Sequence, residues 1–148
     1  MVNTLKSYQN YSYDVTTATY AGTHWGNPTP GATQQSPTSC SAHNVVYINT
    51  HGTYISLTGG SSGCGLLLVD GDLDVHGGFQ WYGPILVTGS VTFTGGGGKN
   101  VTGAILAGGT AALDMVGGDA NIIYCSTAIQ QQTDILPLVT LRWVEIFG

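Results

Sequence analysis

From Val45 onward the chain repeats one pattern of apolar and polar positions. A short apolar run meets a glycine corner, an alternating run follows, and a Gly-Gly pair ends the line. "VVYINTHGTYISLTGG" is followed by "LLLVDGDLDVHGG", then "PILVTGSVTFTGG", then "AILAGGTAALDMVGG". The pairs Gly59-Gly60, Gly77-Gly78, Gly95-Gly96 and Gly117-Gly118 step by 18, 18 and 22 residues, and the corner glycines Gly71, Gly89 and Gly109 by 18 and 20. A third short run closes each unit: "FQWYG", then "KNVTG", then "ANIIYC".

A period near 20 residues with three β-rich runs predicts an all-β parallel β-helix (a β-solenoid) of about four coils, each rung lying roughly 4.8 Å from the next. Glycine recurs where a corner needs positive φ or close backbone approach. Alternation sets which side chains point inward. It predicts one interior column of Leu73, Val91 and Leu113 and another of Val75 and Phe93, with Asp72 and Asp74 outward beside Ser90 and Thr92. The competing architecture is a sandwich of hairpins, which would show Asn-Gly or Asp-Gly turns every 8–12 residues and no longer register.

The flanks differ from the repeat. Residues 1–44 read as an irregular arm or cap: "YSYDVTTATY" alternates well enough for one strand, and Pro28, Pro30 and Pro37 break the stretch from Gly26 to Ser39. Residues 45–129 hold the coils. Residues 130–148 read as a capping or exchanged strand, with Leu141, Trp143, Glu145 and Phe147 on one side.

At 148 residues the chain is one domain by size. Only 7% of residues are charged, 42% are hydrophobic, and glycine supplies 23 positions. The polar remainder is Thr, Ser, Asn and Gln, which suits contacts with its own kind or with glycans. Lys6, Lys99 and Arg142 are the only basic side chains and the net charge is −5. Three scattered cations cannot release the counterions that nucleic acid binding requires, and an anionic membrane is disfavoured alike. No apolar stretch approaches the roughly 20 residues of a transmembrane helix. Met1 leads directly into polar sequence without a signal peptide, so export would need an address supplied elsewhere.

Several passages resemble a known family. "GCGLLLVDGDLDVHGGFQWYGPILVTGSVTFTGGGGKNVTGAILAGG" followed by "IIYCSTAI" is similar to the C-terminal β-helical region of PilX-like type IV pilus assembly proteins, over roughly Gly65 to Ile129. The resemblance implies a non-catalytic structural subunit or adhesive head of a pilus-like filament, extracellular or at the cell surface. Its expected partners are copies of itself or a pilin-type helix subunit. The family usually carries an N-terminal hydrophobic helix that this sequence lacks, so the chain either is not itself incorporated or needs a partner to supply one. Two other readings remain open: a secreted carbohydrate-binding module, and a self-polymerising scaffold like the bactofilins, which share the glycine-corner pattern without these phrases.

The candidate chemistry is sparse. Asp70, Asp72 and Asp74 would be the ligands of a calcium site, since hard cations take several carboxylate oxygens. They lack the spacing of known calcium loops, and the preferred reading is a corner Asp bonding its own turn with two solvated neighbours. His24, His43, His51 and His76 show no metal-ligand spacing, so neither a metal nor a cofactor is expected. Cys64 and Cys125 fall about three rungs apart, too far to pair directly, whereas Cys40 on the arm could reach Cys64 and clamp the arm over the first coil. Lyase chemistry needs a basic residue beside carboxylates, and hydrolysis needs two carboxylates in a cleft. Lys99 and Arg142 have no such company, so no enzyme activity is expected. Trp25, Trp81, Tyr82 and Trp143 are the candidate surface aromatics for interaction. "NYS" at Asn10 and "NVT" at Asn100 match the glycosylation pattern at the level of chance.

Overall fold

The computed structural model describes residues 9, 11–15, 18–25, 43–94, 97–109, 111–113, 120–124, 126 and 129–130. Nearly all of them are β. Ten strands run β1 Tyr11–Asp14, β2 Ala18–Ala21, β3 His24–Trp25, β4 Asn44–Thr58, β5 Ser61–His76, β6 Phe79–Val87, β7 Val91–Thr94, β8 Lys99–Ala107, β9 Ala111–Leu113 and β10 Ala120–Tyr124. Every pairing between them is parallel. The chain is therefore a β-solenoid, winding through three full turns that begin near residues 44, 65 and 83 with shorter turns before and after. No helix of the described residues is long and apolar enough to cross a membrane.

Three faces make each turn. The first stacks β1, the start of β4, the middle of β5, and the ends of β6 and β8. The second stacks β2, the end of β4, the end of β5, β7 and β9. The third stacks β3 and the starts of β5, β6 and β8, then β10. Residues 11–25 thus form a short rung of their own: "YSYDVTTATY" is two strands on two faces, and the coils begin before Val45.

Register corrects two expectations. Val91 pairs with Ala111 and Phe93 with Leu113, so Leu113 belongs to the column of Leu57, Val75 and Phe93. Counting from the corners shows why, since Leu113 and Phe93 each lie four residues beyond their glycine. In the run of four glycines from 95 to 98, Gly97 and Gly98 lie under Gly77 and Gly78: the Phe79 amide donates to the Gly98 carbonyl at 3.1 Å, and Phe79 pairs with Lys99.

Each corner is held by a backbone stack. Gly89 N donates to Gly71 O and Gly109 N to Gly89 O, both at 2.8 Å. A further glycine column turns the third face into the first. Gly65, Gly83 and Gly103 all have positive φ, at 125°, 130° and 149°, and a Cβ on Gly65 would overlap the Asn44 carbonyl oxygen. These glycines step by 18 and 20, as the other corner does, and each opens an apolar run; that signal was present in the sequence and went unused.

Strand alternation builds the interior. Val46, Ile48, Leu67, Val69, Ile85 and Val87 point in from the first face and Ile55, Leu57, Leu73, Val75, Val91 and Phe93 from the second. Aromatic rings fill the third: Trp81 stacks on Phe79 with centroids 6.3 Å apart and 10° between planes, and Trp25 lies 6.2 Å from Trp81. Gly63 sits between Trp25 and Trp81 in the register, and any Cβ there would overlap the Trp81 ring. The first face is apolar on its outside too. Val45, Tyr47, Leu66, Leu68 and Leu86 alternate with the inward set and form a second buried cluster.

Candidate functional site

The outward side of the second face carries the polar groups. Because positions two apart share a side of a strand, three rungs present Tyr54 and Ser56, then Asp72, Asp74 and His76, then Ser90, Thr92 and Thr94. Register sets Tyr54 against Asp72, Asp74 against Thr92 and His76 against Thr94. All of these except the buried Ser56 line a shallow depression of about 290 Å³.

A chain of hydrogen bonds crosses this surface. His76 Nε2 lies 2.6 Å from Asp74 Oδ2, and His76 Nδ1 lies 2.6 Å from Thr94 Oγ1. A carboxylate only accepts, so Nε2 carries a proton and donates to Asp74. In the neutral ring Nδ1 then accepts the Thr94 hydroxyl proton. The order hydroxyl, imidazole, carboxylate is that of a nucleophile relay, but acyl chemistry also needs N–H donors aimed at a developing oxyanion. The strand amides on either side are committed to the parallel ladder. The arrangement ties one coil to the next. Asp74 Oδ1 is occluded and has no hydrogen-bond partner among the described residues.

The other candidate carboxylates act at the corner. Asp70 Oδ1 accepts from Thr88 Oγ1 at 3.0 Å, and Asp72 Oδ1 accepts from the Ser90 amide at 2.8 Å. Thr88 Oγ1 in turn accepts the Gly71 amide at 2.8 Å. Asp70 and Asp72 thus bond the corner of the following coil, in place of the expected corner Asp bonding its own turn beside solvated neighbours. Among the described residues no group of three or more His, Cys, Asp or Glu side chains converges where a metal ion could sit. Asp70, Asp72 and Asp74 are therefore not brought together as ligands. The histidines are equally dispersed: His24 Nδ1 meets Ser62 Oγ at 2.7 Å and His51 pairs with Asp14 on the surface.

The aromatic candidates are corrected. Trp25, Trp81 and Tyr82 are each 1% exposed. The two indoles point into the solenoid and satisfy their N–H groups there, Trp25 on the Tyr13 hydroxyl and Trp81 on the Gly65 carbonyl, both at 3.0 Å. Alternation in "FQWYG" places Phe79 and Trp81 inward together, and Gly63 on the rung above leaves the room. Trp143 lies outside the described residues. The surface aromatics that sequence reasoning missed are Tyr11, Tyr54 and Tyr124, and of these Tyr54, 45% exposed, lies on the second face. Its parity with Ser56 on a strand whose Ile55 and Leu57 face inward was the available signal.

Cys64 is fully buried and disulfide-bonded. It pairs in register with Tyr82, next to the inward pair Gly63 and Trp81, which puts it on the outer side of its strand. The expected partner Cys40 lies outside the described residues, as does Cys125.

No protein-family model, no curated protein and no solved structure matches this chain.

Proposed function

We propose that the chain is a non-catalytic structural module of a type IV pilus-like surface filament, serving as a subunit or adhesive head outside the cell. The observation that carries this reading is the last rung among the described residues. The outer column Tyr47, Leu68 and Leu86 is buried, yet its next member Leu106 is 55% exposed. Strand β10 covers β8 only from Lys99 to Gly103, so Ala104–Ala107 have no strand on their far side among the described residues. Exposed Ile122 and Tyr124 lie on the same rung. An open parallel edge flanked by apolar side chains suits the addition of a strand from a neighbour. The Cys64 disulfide favours an oxidising compartment, and the wording of Gly65–Ile129 resembles pilus assembly proteins.

The test is electron microscopy and light scattering of the oxidised protein over a concentration series, with and without a pilin-type helix subunit. Assemblies elongated along the solenoid axis, and their loss in Leu106→Asp, are expected. A particle that stays monomeric under all these conditions would remove the proposal.

A further inference from the structure

We infer that the depression on the outer side of the second face is a binding site for a neutral saccharide, one or two sugar rings in size. The inference does not depend on filament assembly, since a monomer presents the same surface.

The lining chemistry selects the ligand class. Tyr54 offers a half-exposed ring at the edge of the depression, the flat apolar surface on which the C–H face of a pyranose packs. Opposite it in register stands Asp72, with Asp74 two residues on. Asp74 Oδ1 is occluded and its Oδ2 is bonded to His76, which leaves Asp72 as the carboxylate open to a ligand. A carboxylate only accepts hydrogen bonds, so it calls for a donor. Thr92 and Thr94 add hydroxyls, which both donate and accept. A polyol matches this mixture, because each sugar hydroxyl also does both.

Charge narrows the choice. The lining residues hold two carboxylates and no Lys or Arg, so a uronate, sialate or sulfated sugar would be repelled. A cationic peptide is the competing donor. It would favour several open carboxylates together, whereas Asp74 is bonded to His76 and occluded, so that Asp72 alone remains open. At about 290 Å³ the depression falls just below the roughly 300–1,000 Å³ typical of small-molecule pockets, which restricts it to a short unit. The Asp74–His76–Thr94 chain holds its side chains across two coils, so the site is formed before ligand arrives.

The experiment is saturation-transfer NMR on the full, oxidised chain. The probes are neutral di- to tetrasaccharides of glucose, galactose, mannose and N-acetylglucosamine, with galacturonate oligomers and a Lys-rich peptide as the contrasting arms. Binding of at least one neutral sugar is expected. Its affinity should fall at least tenfold in both Tyr54→Ala and Asp72→Asn, each with an unchanged thermal midpoint, while Tyr11→Ala on the first face leaves it intact. If Asp72→Asn weakens folding, Thr92→Val reads the same surface and should lower affinity as well. Binding of the galacturonate or the peptide alone, no binding of any neutral sugar, or neutral binding that survives Tyr54→Ala would overturn the assignment. Loss of filament formation leaves every one of these readouts in place, so the two proposals fail separately.

Discussion

At the scale of single residues, glycine decides where this backbone can turn. Gly65 has φ 125° and lies so close to the preceding coil that a Cβ would enter the Asn44 carbonyl. A side chain there adds about 1–3 kcal/mol of backbone strain to an overlap with main chain that cannot yield. Gly65→Ala is therefore expected to lose most of a total stability of about 5–15 kcal/mol, read as a collapse of the urea midpoint or as insoluble protein; a midpoint within error of the parent would contradict the stacked corner. Two tyrosines set a pH limit. Burial raises the pKa of Tyr20 above 10.0, with Tyr13 nearby adding to it. Burial also raises Tyr47, helped by the negative charges of Asp70 and Asp14. In each case the unfolded phenol ionises first. Their contribution is complete below about pH 10 and is lost as pH climbs through the higher folded-state pKa. A thermal midpoint that falls above pH 10, and falls less steeply in Tyr47→Phe, is the expected record.

At the scale of elements, the third face depends on one exchange of volume between rungs. Gly63 supplies none and Trp81 fills the space, stacked on Phe79 and bonded through its N–H to the Gly65 carbonyl. Trp81→Ala leaves a ring-sized hole and an unpaired carbonyl, so a loss of about 3–5 kcal/mol is expected from the denaturation midpoint. Gly63→Ala should be comparably harmful in the parent and partly relieved in Trp81→Leu. Additive effects in that double mutant would show that the two positions do not share the space. The same elements show how far pattern carries. Alternation alone places Leu73, Val75, Val91 and Phe93 inward and Asp72 and Asp74 outward. It misplaces Leu113 because the fourth line is two residues longer between its corner and its Gly-Gly pair, and a register counted from the pair slips by two where one counted from the corner does not.

At the scale of the whole molecule, the described coils have one unusually apolar side. The outer cluster of Val45, Tyr47, Leu66, Leu68 and Leu86 is buried, and disulfide-bonded Cys64 lies on the outer side of the same winding strand. Breaking that bond by reduction or by Cys64→Ser is expected to remove about 2–4 kcal/mol, measured as a lower denaturant midpoint with reductant than without. Peptide mass mapping should recover a Cys40–Cys64 link, and three free thiols in the purified protein would refute it.

Read alone, the sequence determined the winding. Runs of apolar residues, glycine corners at 18 to 20 residues and alternation between them are local properties, and they suffice for a parallel stack because each coil needs only its neighbours. Tertiary structure alone decided what lies between coils. Trp25 and Trp81 could stand outside or inside by composition, and the empty volume at Gly63 is what admits them to the interior. Asp70 and Asp72 bond the following corner, and Tyr54, Asp74, His76 and Thr94 share one surface, because residues about 18 apart in the chain are a single rung apart in space. That distance depends on the exact length of every intervening turn, which no local pattern records.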